Sequence, residues 1–166
     1  INSKIKNVAY MLNTINESSN GVDIQSFVPR LFPNHKDIYF KNPIHEQITE
    51  SLEKINFNLV KSKAKINHFG YNSEKVDQDK KQDRNIKLLL KAYSKKKYWY
   101  YAYQLGISYK IKGNAKLSKK YFIEAVKLNA MPHFMSTIYN YLGELMNDEK
   151  SYKDALTFLE KSISIT

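Results

Sequence analysis

Hydrophobic and polar positions follow different patterns in the two halves of the chain. In residues 1–80, short apolar runs are separated by Asn, Gly and Pro, which is typical of β-strands and turns. The pattern predicts strands at 8–14, 27–32, 38–48 and 59–69, and a short helix at 47–55. A small antiparallel sheet with one helix is thin for an independent domain, so we expect it to belong to a larger one.

The second half, residues 81–166, shows helical periodicity almost throughout, so we expect an all-helical domain there. Apolar residues at i, i+3, i+4 and i+7 from Ile86 predict a helix at 83–95. The intervening segment, 72–81, is almost entirely polar, and we place the boundary there, between domains at 1–80 and 81–166. The predicted fold class is α+β: an antiparallel sheet followed by a helical array.

A repeat with a spacing of 37 residues runs through the second half. Leu105-Gly106 is answered by Leu142-Gly143, and small and large residues then recur at fixed distances from each Gly. They are Ser118, Phe122 and Ala125 in the first copy, and Ala155, Leu159 and Ser162 in the second. Because the register holds across two helical patterns, it predicts a duplicated helical hairpin.

These residues resemble the tetratricopeptide repeat, a helix–turn–helix unit of about 34 residues with Leu-Gly and Tyr in its first helix and Ala, Phe and Ala in its second. A Gly where two helices cross lets the backbones approach, and the large residue fills the groove. The departures are Ser118 for Ala and Met146 for Tyr. The spacing of 37 residues exceeds the family's unit of about 34 by three. We expect these three extra residues in the connection at 130–136, because Pro132 cannot continue a helix.

The resemblance implies that partner contacts come from the inner faces of the first helices of the repeats. By register, these positions are Tyr100, Tyr103, Ile107 and Lys110 in one copy and Thr137, Asn140, Glu144 and Asn147 in the other. The candidate partner- or acceptor-binding residues are Tyr100, Tyr103, Lys110, Asn140 and Asn147. Aromatic and amide groups on a rigid face suit an extended peptide or an acceptor protein. The alternative is an intramolecular role, with this face packed on the first domain or on further repeats.

Groups that can carry chemistry in the first half are His35, His45-Glu46 and His68. Two histidines and a carboxylate near strand ends can bind a metal or act as acid and base. The spacing from His45 to His68 matches no local metal motif, so a structural role for each histidine is the alternative.

Four short motifs follow one another in a fixed order along the chain. They are Arg30-Leu31-Phe32-Pro33-Asn34, Ile44-His45-Glu46, Asn67-His68-Phe69-Gly70-Tyr71, and Lys81, Arg84 and Asn85 ahead of Leu88-Leu89. This ordered set resembles family 2 glycosyltransferases of bacteria, which carry Arg-Leu-Phe-Arg-Asn, Val-His-Glu, His-Tyr-Gly-Tyr and Lys-x-x-Arg-Asn-x-x-Leu-Leu, often with tetratricopeptide repeats behind. The match covers about residues 26–90. The departures are Pro33 for the second Arg, Phe69 for Tyr, and Asn42-Pro43 where a Gly is usual.

The resemblance implies a type A glycosyltransferase fold, in which a nucleotide-sugar donor binds an N-terminal half through Mg or Mn held by an Asp-x-Asp motif. This chain would hold the acceptor-side part, with His45 and His68 as metal neighbours and Glu46 as the catalytic carboxylate. No Asp-x-Asp precedes the His-Glu segment, and Asp77-Gln78-Asp79 is expected to be a solvated turn. The chain alone is therefore expected to be inactive.

A further interpretation, that the protein binds nucleic acid, is weakened by the composition. The net charge of +11 suggests a nucleic-acid partner, with Lys95–Lys97 beside Tyr98, Trp99, Tyr100, Tyr101 and Tyr103 as its stacking platform. However, only Arg30 and Arg84 supply the guanidinium forks that favour phosphate and base recognition. The absence of cysteine excludes disulfides and thiolate chemistry, and no apolar run is long enough to span a membrane, so we expect a cytoplasmic protein.

Three hypotheses follow in order of preference. The first is a fragment of a metal-dependent inverting glycosyltransferase, joined to a repeat domain for acceptor or partner contact. The alternative is a non-catalytic tetratricopeptide interaction module whose first half is a small structural cap. A basic nucleic-acid-binding protein ranks third.

Overall fold

A small three-stranded sheet and six helices make up the computed structural model, which describes residues 7–18, 24–44, 46–71 and 77–165. The fold is therefore mixed α+β. The chain divides into two compact units, Ile1–Gln78 and Asp79–Thr166. The sheet lies in the first unit, together with the shortest helix, and the other helices lie in the second.

The sheet contains β1 (Val8–Ser18), β2 (Ile24–Leu31) and β3 (Asn58–Tyr71), in the order β2-β1-β3. Strand β1 is antiparallel to β2 but parallel to β3, so the prediction of an antiparallel sheet is wrong for half of the pairing. The cause is the long connection from β2 to β3, which includes α1 (Thr49–Lys54) and returns the chain to the end of the sheet where β1 begins.

The predicted strand at 38–48 is also wrong. Among the described residues of this range, only an isolated bridge between Lys41 and Gln47 forms, and it closes a turn. Asn42 has a φ of 75°, in the left-handed region that Asn tolerates better than most residues. Pro43 follows it and has no N–H for a strand ladder. Local turn chemistry therefore prevails over the β-type pattern of the flanking residues.

The two faces of the sheet differ in burial. On one face, Ala9, Ile48 and Leu52 form a buried cluster, with Phe32, Ile38, Phe57 and Leu59 packed around it. On the other face, Tyr10 pairs with both Leu31 and Val60, and this row is 41%, 57% and 42% exposed. Because side chains alternate between the faces of a strand, the row lies opposite the buried cluster. Within the described residues, helix α1 therefore covers one face only.

Five helices build the second unit: α2 (Gln78–Lys95), α3 (Trp99–Ile111), α4 (Ala115–Lys127), α5 (Pro132–Asp148) and α6 (Tyr152–Ile165). Helix α2 begins five residues earlier than predicted. Its first turns bury Gln82 and Asn85, which are polar, so an apolar periodicity does not detect them. Asp79 lies in the first helical turn and pairs with Lys112 at 3.2 Å. The segment expected to be a turn is therefore a helix start, although Asp79 is exposed as predicted.

Helices α3 and α4 form one hairpin, and α5 and α6 form another. A Cβ atom on Gly106 would lie 2.6 Å from the Phe122 ring, and one on Gly143 would lie 2.8 Å from Leu159. Both glycines therefore sit where the two helices of a hairpin touch. In the first hairpin, the Ser118 hydroxyl also donates a hydrogen bond of 2.9 Å to the Gly106 carbonyl oxygen.

The turns inside the two hairpins also correspond at a spacing of 37 residues. Gly113 has a φ of 71° and Lys150 a φ of 60°, so both turns use the left-handed region. The prediction that the extra residues lie in the connection at 130–136 is wrong. They extend α5 at its beginning, where Pro132 occupies the first helical turn, a position at which its missing N–H costs nothing.

Candidate functional site

The inner face predicted for the repeats consists of α3 and α5, which lie side by side. Lys110 of α3 pairs with Glu144 of α5 at 3.1 Å, and its ammonium lies 5.4 Å from the centre of the Tyr141 ring. The Tyr103 ring of α3 contacts Phe134 of α5 with centroids 5.2 Å apart. The two helices therefore present one continuous surface, aromatic at one end and polar at the other.

At the aromatic end, three rings of α3 surround Phe134. Trp99, Tyr100 and Tyr103 have centroids 5.0, 6.2 and 5.2 Å from it. Tyr100 is half-buried, but Tyr103 is only 8% exposed, so it is mainly a packing residue with little surface for a partner. Burial, followed by the neighbouring Tyr141, raises the pKa of Tyr103 to about 12, and burial also raises the pKa of Tyr100. Both phenols are therefore neutral at physiological pH.

At the polar end, charges are largely matched within the face. Glu144 accepts a hydrogen bond of 3.2 Å from the Asn140 side chain and also pairs with Lys110. Asn140 and Asn147 are exposed. Exposed ion pairs of this kind contribute little to stability, and they leave amide groups as the main polar features. This arrangement suits hydrogen bonding to a backbone better than capture of a strongly charged ligand.

The predicted catalytic group of the first unit is only partly within the described residues. His45 lies outside them, while Glu46 and His68 are both exposed. His68 is cross-strand from Asn16, and its Nδ1 lies 2.8 Å from the Asn16 side-chain oxygen. Because a carbonyl oxygen only accepts hydrogen bonds, the Nδ1–H group of His68 donates in this contact.

The metal implied for this unit finds no complete ligand set in the part of the chain that the structure describes. No group of three or more His, Asp or Glu side chains converges there in a way that could hold an ion. Glu46 and His68 alone therefore do not constitute a metal site, and we derive no metal-dependent step from them.

The aromatic residues proposed as a nucleic-acid platform pack largely on one another. The Tyr98 ring contacts Tyr101 at 5.3 Å and Trp99 at 5.5 Å, and Trp99 in turn contacts Phe134. A stacking platform needs ring faces that bases can reach, and part of these faces is occupied within the helical unit.

No described helix has the length and apolar character needed to cross a membrane.

A second cluster was not anticipated from the sequence. Between α2 and α4, Tyr93 and Tyr121 line a cavity with Lys97 and Lys120 at its edge. The only signal in the sequence is the pairing of lysine with tyrosine four residues and one residue apart, which by itself is too common to indicate a site.

Comparison with protein-family models and with curated protein sequences finds no match for this chain.

Proposed function

We propose that the helical unit is a protein-contact scaffold of the tetratricopeptide kind. The observation that carries the proposal is the duplicated hairpin, in which Gly106 meets Phe122 and Gly143 meets Leu159 at the same register. Two such hairpins place α3 and α5 side by side as a rigid face. Contact surfaces of this kind are built from backbone-fixed side chains, and rigid aromatic and amide groups bind at a low cost in conformational entropy.

The partner that this face suits best is an extended peptide segment of another protein. Tyr100 offers a half-exposed ring at one end, and Asn140 and Asn147 offer amides that can both donate to and accept from a peptide backbone. The pairing of Lys110 with Glu144 leaves the middle of the face nearly neutral. A peptide without strong net charge is therefore the expected ligand.

We predict that the double variant Tyr100→Ala and Asn140→Ala weakens binding to such a peptide by about thirtyfold or more, because loss of an aromatic and an amide contact together costs roughly 2 kcal/mol or more. A displayed library of extended peptides is selected on the wild-type chain, and the affinity of the selected peptide is measured by fluorescence anisotropy. Tyr152→Ala, which changes a tyrosine on α6 that is 65% exposed, is the matched control and should leave the affinity unchanged. Equal affinities for the double variant and the control would exclude this face.

For the first unit, we propose the acceptor-side part of a family 2 glycosyltransferase. The ordered motifs support this, and so does the exposed apolar row of Tyr10, Leu31 and Val60, because a monomeric domain seldom leaves a connected apolar row of a sheet uncovered. In this proposal a further layer of the parent enzyme covers the row and supplies the nucleotide-sugar and metal site. Glu46 and His68 then lie on the acceptor side.

We predict that the 166-residue chain alone does not transfer or hydrolyse nucleotide sugars, because no Asp-x-Asp motif precedes the His-Glu segment of this sequence. The measurement is nucleoside diphosphate release from a panel of nucleotide sugars with Mg²⁺ or Mn²⁺ present. We expect the rate to equal that of a protein-free blank. Release that requires this protein and is lost in His68→Ala would contradict the assignment, since a complete donor site would then exist in these residues.

A further inference from the structure

A cavity of about 290 Å³ lies between α2 and α4, away from the contact face of α3 and α5. Its lining residues are Leu90, Tyr93, Ser94, Lys97, Lys120, Tyr121 and Glu124. All of them belong to the helical unit. This volume is near the lower end for small-molecule sites.

Two buried tyrosine rings form the floor of the cavity. Tyr93 and Tyr121 are 5% and 8% exposed, and their rings meet edge to face with centroids 5.9 Å apart. The Tyr93 hydroxyl donates a hydrogen bond of 2.9 Å to Glu124. Burial, together with that bond, raises the pKa of Tyr93 to about 12, so it remains a phenol. Behind the floor, Tyr121 stacks flat on Tyr109 at 5.6 Å.

Two ammonium groups stand at the edge of the cavity, each held over a tyrosine ring. The Lys97 nitrogen is 3.9 Å from the centre of the Tyr93 ring, and the Lys120 nitrogen is 5.4 Å from that of Tyr121. Neither lysine has a carboxylate partner within the described residues, whereas Lys110, Lys112 and Lys119 of the same unit each have at least one. A cation held over a ring face keeps N–H donors available for a ligand.

We propose that this cavity binds a small phosphate monoester, with its phosphate between Lys97 and Lys120. Two ammonium groups match a phosphate that carries about −1.5 to −2 charges near neutral pH. Lysine binds phosphate as a point charge, and the cavity has no arginine fork that would favour a planar carboxylate. The remaining volume holds the organic part against Leu90 and the tyrosine rings, where Glu124 can accept a hydrogen bond from a ligand hydroxyl.

The test is isothermal titration of the full chain at low salt with glucose 6-phosphate and, separately, with inorganic phosphate. We expect saturable binding of both, with the ester tighter than the free ion. Lys97→Gln and Lys120→Gln should each weaken ester binding by about tenfold, because each removes a charge-assisted hydrogen bond. Lys116→Gln removes the same charge from an exposed position on α4 outside the cavity lining and is the matched control.

Glu124→Gln provides an independent test with the opposite sign. The amide oxygen still accepts from Tyr93, so the floor is retained, but the repulsion between carboxylate and phosphate is removed. We expect tighter ester binding in this variant. Equal weakening in Lys116→Gln and the two cavity variants would reduce the effect to general electrostatics and overturn the site. Equal affinities for ester and free phosphate would overturn the organic subsite. The absence of saturable binding of either ligand would overturn the site as a whole.

Discussion

Phe122→Ala is expected to lower the free energy of unfolding by about 3–5 kcal/mol, the largest effect of any substitution considered. Phe122 is fully buried, and its ring contacts Tyr103 at 6.3 Å and stacks on Tyr141 at 5.2 Å. It therefore joins α4 to both α3 and α5, and its removal opens a cavity at the junction of the two hairpins. Urea unfolding followed by far-ultraviolet circular dichroism measures the change.

The control for this prediction is Phe122→Leu, because Leu159 occupies the corresponding position of the second hairpin. It keeps an apolar side chain against Gly106 and should cost clearly less than the alanine variant. If Phe122→Ala unfolds at the same urea concentration as the wild type, Phe122 does not hold the hairpins together and the assigned register is wrong.

Gly106→Leu is expected to destabilise the chain by roughly 1–3 kcal/mol or more through overpacking. A Cβ atom at this position already approaches the Phe122 ring to 2.6 Å, a distance that real Cβ atoms do not show. The larger side chain must push α3 and α4 apart or force Phe122 out of its site. Thermal and urea unfolding of the full chain should both show the loss.

Two companion variants separate packing from backbone conformation. Gly113→Ala meets no atom within 4 Å but has a φ of 71°, so its cost is backbone strain alone, about 1–2 kcal/mol. Combining Gly106→Ala with Phe122→Leu removes part of the clash and should recover stability relative to Gly106→Ala alone. Failure of that recovery, or wild-type stability in Gly106→Leu, would contradict the close contact of the two helices.

The helical unit was largely predictable because its signals are local. Apolar residues recur at helical spacing, and the pair Leu-Gly marks each crossing, so the hairpins follow from periodicity and size. The beginning of α2 was missed because buried Gln82 and Asn85 look solvent-exposed in a hydropathy pattern. The beginning of α5 differs from the prediction because proline, which cannot continue a helix, is tolerated in a first helical turn, where Pro132 lies.

The sheet and the candidate site were less predictable because they depend on contacts between distant residues. Nothing in β1 or β3 alone specifies a parallel pairing, which is set by the path of the chain through residues 32–57. The pairing also brings His68 to Asn16, and no local pattern indicates that contact. On the contact face, Tyr103 is buried by Phe134, which lies in the additional first turn of α5 that the sequence pattern did not reveal.

The turn of the second hairpin has a consequence for the order in which the helical unit opens. Left-handed backbone is easily adopted by Gly113, whereas Lys150 carries a Cβ atom and adopts the same conformation at a cost of about 1–2 kcal/mol. The two turns therefore share a backbone conformation, but this conformation costs more free energy in the second hairpin than in the first. Since α6 has its main contacts with α5 alone, we expect native-state fluctuations to separate α6 first and to leave α3 packed against α4. The first hairpin of the helical unit is therefore expected to be more persistent than the second.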